Sequence, residues 1–305
     1  MIKKEVTDYK EFGKVLRISD DITEILVTLD FGPRIIKYSY INGENIMNDT
    51  AHAVSSFKGK DFDDYYYKGA EFNIYGGHRL WVSPESKPET YYPDNDRVNY
   101  TLTENGAIFT PKAQKENGLA LTLEVYYCDD NIKVVHHVKN ISTNIKTIAA
   151  WGLTVAALNG IEIIPFNNND TGLLHNRQIS IWPYTDLRDE RIYFGHKYAT
   201  ITQKNIDKPL KLGFNLNAGI VYYIVGKTTY IKEFNPNING LHPDNNVCFE
   251  TYSCKDFTEI ETLSELKELK PNESIVHTEK WSLKNTPCEF NEKDDDSISK
   301  FINKL

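Results

Sequence analysis

The stretch Leu119-Ala120-Leu121-Thr122-Leu123-Glu124-Val125-Tyr126-Tyr127 decides the fold class. Successive side chains of a strand point to opposite faces. Leu119, Leu121, Leu123, Val125 and Tyr127 therefore share one face, which predicts a strand with that face turned into a core. Asp129-Asp130-Asn131 is a polar turn, and residues 132–138 resume the apolar pattern, so the segment reads as an antiparallel hairpin. On its second strand the neighbours His136 and His137 point to opposite faces and cannot chelate one metal together. They are expected to pack in the core or across strands.

The same pattern recurs in both directions. Residues 22–29 give way to Asp30-Phe31-Gly32-Pro33, residues 34–40 follow, and Asn42-Gly43 turns the chain again. Further strand-like runs occupy residues 192–198, 219–225, 247–252 and 275–283, and Asn167-Asn168-Asn169-Asp170 reads as a loop. No repeat and no low-complexity segment interrupts them. The expected fold is a large antiparallel β-sandwich forming a single domain over residues 1–305. Only the tail differs: after Asp294-Asp295-Asp296-Ser297, the residues Ile298, Phe301, Ile302 and Leu305 recur at helical spacing. Residues 294–305 are thus expected to form a short amphipathic helix, with acidic residues at its positive end.

The chain has 305 residues, and 43 Asp+Glu outweigh 35 Lys+Arg for a net charge of −8. That balance opposes a nucleic-acid partner or an anionic membrane surface, either of which wants a basic patch. The lysines at positions 3–4 and 204–211 are interleaved with or followed by acidic or apolar residues and read as solvated faces. Cys128, Cys248, Cys254 and Cys288 show neither a CxxC pair nor zinc spacing, and read as reduced thiols. With no leader-like or membrane-spanning apolar run, the expectation is a cytoplasmic protein. No metal and no cofactor are expected.

Four segments stand out as motifs, and the first carries residue types suited to a carbohydrate cleft. Phe72-Asn73-Ile74-Tyr75-Gly76-Gly77-His78-Arg79-Leu80-Trp81 leads into Pro84-Glu85 and Tyr91-Tyr92-Pro93-Asp94-Asn95. Paired glycines allow a sharp turn or close approach, an arginine offers a planar fork of donors, and a tryptophan offers an apolar face for a sugar ring. Leu174-His175-Asn176-Arg177-Gln178-Ile179-Ser180-Ile181-Trp182 is the second, and His242-Pro243-Asp244-Asn245-Asn246 the third. The fourth is Val247-Cys248-Phe249-Glu250-Thr251-Tyr252, followed by Leu269-Lys270-Pro271-Asn272-Glu273-Ser274 and a last alternating run ending Trp281-Ser282-Leu283.

Together these segments resemble the galactose mutarotase (aldose 1-epimerase) superfamily. The resemblance implies that Glu250 is delivered by an apolar strand into a sugar cleft. Interconverting anomers needs a base for the proton of the anomeric hydroxyl and an acid for the ring oxygen. The resemblance puts Glu250 in the first role, with His78 or His175 as the acid, His242 being a further candidate. Arg79, Trp81, Trp151, Arg177, Trp182 and Asp244 become substrate-binding candidates. The partner it implies is a small sugar or sugar phosphate, with no cofactor. One departure stands out: the superfamily places its acid histidine in the strand after the central Asn-x-Ser turn. Here the run following Asn140-Ile141-Ser142 is Ile148-Ala149-Ala150-Trp151-Gly152-Leu153-Thr154-Val155, without a histidine. A carbohydrate-binding module that keeps the cleft but lacks the acid, or a sugar hydrolase or lyase pairing Glu250 with Glu85 or Asp244, are therefore alternatives on the same fold.

Overall fold

The computed structural model describes residues 1–50, 56–129 and 131–305. Two large sheets, of eleven and ten strands, face each other, and every strand pairing between neighbours is antiparallel. The first runs from the edge strand Lys3–Asp8 through Lys14–Ser19, Thr23–Thr28, Ile35–Tyr40, Gly77–Ser83, Lys146–Ala156, Thr258–Leu263, Phe249–Ser253 and Leu210–Phe214 to Ile179–Ile181, with Lys267–Leu269 paired to Lys146–Ala156 as the eleventh strand. The second runs from Ile192–Phe194 through Tyr198–Thr202, Ile161–Pro165, Ile220–Val225, Thr228–Phe234, Ser274–Asn285, Asn131–Asn140, Leu119–Cys128 and Gly106–Thr110 to Asn99–Leu102.

The hairpin read from the sequence is present, with Leu119 paired to Asn140 and Cys128 to Asn131; Asp130 of its turn lies outside the described residues. Leu123, Val125 and Tyr127 enter the main core together with Phe249 and Ile260 of the opposite sheet. One core therefore fills the space between the sheets, as expected of a sandwich whose inner faces interdigitate. The run at 192–198 is broken in two by Gly195, giving the strands Ile192–Phe194 and Tyr198–Thr202.

The C-terminal helix spans Asp295–Ile302, capped by the Asp294 side chain, which accepts from the Ser297 N–H at 2.7 Å. Its Ile298 and Phe301 are buried against Ile163, Tyr222 and Ile224, so it packs on the outer face of the second sheet.

The paired glycines serve the backbone. Tyr75, Gly76 and Gly77 all have positive φ, and a Cβ on Gly77 would lie 2.3 Å from the Ile35 carbonyl oxygen. A residue without a side chain lets the strand Gly77–Ser83 enter the sheet beside Ile35–Tyr40. That entry fixes which face Arg79 and Trp81 occupy.

Between the sheets lies a buried polar centre. His78 Nε2 and His136 Nε2 are 2.7 Å apart, and His136 Nδ1 donates to the His277 carbonyl oxygen at 3.0 Å. Glu279 meets the Lys232 ammonium at 3.1 Å and accepts from Trp281 Nε1 at 2.7 Å. His78, His136 and Glu279 come within 4.8 Å of one another, a spacing that suits a cation. The Lys232 ammonium and the histidine–histidine contact already supply the charge and hydrogen bonds there. Burial keeps all three imidazoles of His78, His136 and His277 neutral, the last pushed down to about 3.

Candidate functional site

Alternation along five central strands of the first sheet sends one set of side chains inward and the other to the outer face. On Gly77–Ser83, Leu80 packs in an interior cluster while Arg79 and Trp81 line an outer cavity. On Lys146–Ala156 the outward residues are Trp151 and Leu153, and on Leu210–Phe214 it is Lys211. On Phe249–Ser253, Phe249 enters the core and Tyr252 the cavity, so Glu250 lies on the same side as Tyr252. On Thr258–Leu263, Ile260 is core and Glu259 lines the cavity, with Glu261 on the same face.

Register brings these residues into rows. Leu153 stands opposite both Arg79 and Glu261, and Glu261 stands opposite Glu250. Tyr252 stands between Glu259 and Lys211. The cavity holds about 220 Å³, and Phe72, Tyr91, Tyr184 and Phe257 complete its walls. Its aromatic lining is packed edge-on: Trp81 and Trp151 are 5.4 Å apart at 68°, and Trp81 and Tyr91 5.2 Å apart at 73°.

Two cations and three carboxylates meet on this face. Arg79 is 1% exposed, and its Nη2 donates to Glu259 Oε1 at 3.2 Å while the guanidinium lies 4.1 Å over Trp81. Its Nε and Nη1 have no hydrogen-bond partner among the described residues. Lys211 Nζ lies 2.8 Å from Glu250 Oε2 and 3.2 Å from Glu261 Oε2, stacked over Trp151 at 4.7 Å and Trp182 at 4.8 Å. The contact with Glu250 is an ion pair between two buried side chains. Trp151 Nε1 donates to Glu261 Oε2 at 2.8 Å.

The electrostatics follow from burial. Loss of water, reinforced by Glu261, raises Glu259 to about 7, with Arg79 and Lys211 pulling the other way. Loss of water also drives Glu250 up, opposed by Lys211. Burial works against the charge on Lys211, but Glu261 and Glu250 more than compensate, and the ammonium is held well above its ordinary range. Desolvation brings Arg79 down to about 10.

The candidates read from the sequence divide sharply. Arg79, Trp81 and Trp151 line the cavity, and Trp182 adjoins it across Lys211. Glu250 is on the cleft face, yet it is fully buried and meets the cavity only through Lys211. His78 does not belong to the site: one residue out of phase with Arg79, it points between the sheets, where its Nδ1 meets Thr154 Oγ1 at 2.8 Å. His175 is exposed on a loop, outside the cavity lining. Arg177 is held elsewhere, over Phe166 and donating to the Asn167 carbonyl. Asp244 is exposed, and its backbone carbonyl accepts from Ser180, but its charge is felt at Glu250. His242 is largely buried, with its backbone N–H bonded to Asn246. Glu85 lines the cavity and accepts from the Tyr91 hydroxyl. No histidine lines the cavity among the described residues.

Lys211, Glu259 and Glu261 were missed. The charge pattern groups Lys211 with solvated lysines, a reading that holds for Lys204 and Lys208, which pair with Glu190 and Asp186 at the surface. Its apolar neighbours Leu210, Leu212 and Phe214 were the signal, since a lone lysine in a core strand must find a partner. Glu259 and Glu261 flank a core isoleucine at strand period, which places two carboxylates on one face.

No family model matches the sequence, and no curated protein matches it. Solved structures do resemble the fold. A galactose mutarotase-like protein from Lactobacillus casei superposes with a TM-score of 0.57 at 8% identity, covering 88% of this chain and all of that one. A second, from Clostridium acetobutylicum, gives 0.53 at 13% identity over 93% of this chain and 98% of the other. A TPR-domain containing protein from Parabacteroides distasonis gives 0.57 at 12% identity over 90% of this chain but only 48% of its own length. The chain has the galactose mutarotase-like fold. At such identities the likeness speaks to the fold alone.

Proposed function

We propose that the protein binds a small sugar in the cleft of the first sheet and interconverts its anomers by general acid–base catalysis, in the manner of an aldose 1-epimerase and without a cofactor. The observation that carries this reading is Arg79. A buried guanidinium with two unpartnered nitrogens, set in the wall of an aromatic cavity, lacks the acceptors that such a group requires. Sugar hydroxyls supply acceptors, and the faces of Trp81 and Trp151 supply apolar surface for the ring. The cavity's volume is about that of seven waters at ~30 Å³ each, the size of one monosaccharide. Glu250 contributes from beneath, against Lys211.

The missing cleft histidine favours one alternative, a binding module that holds a sugar without turning it over. A single experiment separates the two. The protein is titrated by calorimetry with a panel of monosaccharides and sugar phosphates, and exchange between the α and β anomers is followed by NMR saturation transfer. Binding accompanied by exchange faster than in buffer supports the epimerase. Binding without acceleration at any pH leaves the binding module, and no binding by any panel member refutes both. Arg79→Met should weaken binding by about 10- to 100-fold, the loss of one or two charge-assisted hydrogen bonds at ~1.5 kcal/mol each.

A further inference from the structure

Proton transfer at this site needs two titratable groups that touch the sugar, and Glu250 does not reach the cavity. Glu259 and Lys211 do reach it, and they stand in one row across three strands with Tyr252 between them. Strands are about 4.8 Å apart, so the row separates the two backbones by roughly 10 Å. The Lys211 side chain lines the same cavity as Glu259, and its charge is felt there.

We propose that Glu259 and Lys211 are the catalytic base and acid of the cleft, with Glu250 and Glu261 acting as positioning residues that hold the lysine charged. This rests on the sugar-epimerase reading and adds the residues that perform it. In ring opening, Glu259 takes the proton of the anomeric hydroxyl, the C1–O1 bond becomes a carbonyl and the C1–O5 bond breaks. Lys211 gives a proton to O5. Rotation about the C1–C2 bond exposes the other carbonyl face. On closure O5 returns its proton to Lys211 and attacks C1, while O1 recovers a proton from Glu259. Both groups end as they began, and nothing is oxidised or reduced.

The surroundings suit each role. Glu259 is held on one oxygen by Arg79 and is faced by Lys211, Glu261 and Tyr252, with Glu85, Tyr91 and Tyr184 lining the same cavity. Its ionisation near neutral pH is what a base working there needs. Lys211 has Glu250 and Glu261 against its ammonium and the rings of Trp151 and Trp182 beside it. It remains a cation and offers a proton only to a stronger base, which the opening O5 becomes.

The test follows anomer exchange of D-glucose, D-galactose and the other aldohexoses and aldopentoses from pH 5 to pH 9, by saturation transfer on the full chain. In the wild type, exchange should rise with pH through about 7, where Glu259 loses its proton. Glu259→Gln should reduce exchange by about 10²- to 10⁴-fold at every pH, while calorimetry still detects the sugar. Glu259→Asp should restore part of the rate together with the pH step, which guards against a misfolded Gln variant. Arg79→Met should move the step to higher pH, because the guanidinium charge favours the Glu259 carboxylate. Glu250→Gln should cost less than Glu259→Gln. If Glu259→Gln keeps wild-type exchange, or if its pH step persists, the assignment is overturned and the epimerase reading stands. If the wild type binds sugars but accelerates none, that reading fails and the assignment fails with it.

Discussion

Lys211 is the residue on which the cleft depends. It sits between two buried carboxylates, and removing one member of such an arrangement leaves uncompensated charge in a low-dielectric site. Lys211→Met should therefore lower stability by about 3–5 kcal/mol, read as a fall in the denaturation midpoint with unchanged slope. A loss below about 1 kcal/mol would show that Glu250 and Glu261 take up protons at little cost. Glu162 gives the second residue-scale prediction. It is buried between the sheets, accepts from Thr251 Oγ1 at 2.6 Å, and burial raises it to about 8. A raised carboxyl binds its proton more tightly when folded, so stability falls as pH rises from about 4.5 to about 8. Glu162→Gln should remove that part of the decline, worth on the order of a few kcal/mol at ~1.4 kcal/mol per unit. Chemical denaturation at pH 5 and pH 8.5 decides it: an unaltered decline in the variant contradicts the assignment.

At the scale of elements, the strand Gly77–Ser83 carries most of the explanation. Its first residue adopts φ of +64°, and a methyl there collides with the Ile35 carbonyl. Gly77→Ala should cost more than about 1 kcal/mol, and because the strand also sets Arg79 and Trp81, sugar binding should weaken with it. A variant as stable as the wild type would remove the glycine's proposed role. This strand also shows what the sequence makes legible. Residue types marked it as a cleft element, and Arg79 and Trp81 are indeed two apart on one face. The same spacing rule excludes His78, an exclusion that only a known core side could have supplied, because alternation defines two faces without saying which one is inner. The motif order likewise points at Glu250, whereas the sheet carboxylate that lines the cavity, Glu259, is on the neighbouring strand. Which of two adjacent glutamate-bearing strands presents its side chain to open space depends on Lys211, contributed from some 40 residues earlier in the chain.

For the whole molecule, alternation and turn chemistry were enough to give an antiparallel sandwich with a terminal helix, because both signals are local. Sheet order was not legible: Gly77–Ser83 lies beside Lys146–Ala156, and Lys146–Ala156 beside Thr258–Leu263, pairings between segments far apart in sequence. Since one core joins both sheets, the chain should unfold in a single cooperative step, coincident by tryptophan fluorescence and far-ultraviolet circular dichroism. Two separated transitions would contradict a single-domain account. Among the described residues no helix is long and apolar enough to cross a membrane.

If sugars bind on the outer face of the first sheet, the four tryptophans report it. Trp81 and Trp151 line the cavity, Trp182 adjoins it across Lys211, and Trp281 is fully buried between the sheets. Protein labelled with 5-fluorotryptophan gives one ¹⁹F resonance for each, assignable by single Trp→Phe variants. Titration with the monosaccharide panel should shift the lines of Trp81, Trp151 and Trp182 with one common Kd and leave that of Trp281 in place. If no sugar moves the three cleft lines, or if binding is registered at Trp281 alone, the cleft is not where this protein meets sugar.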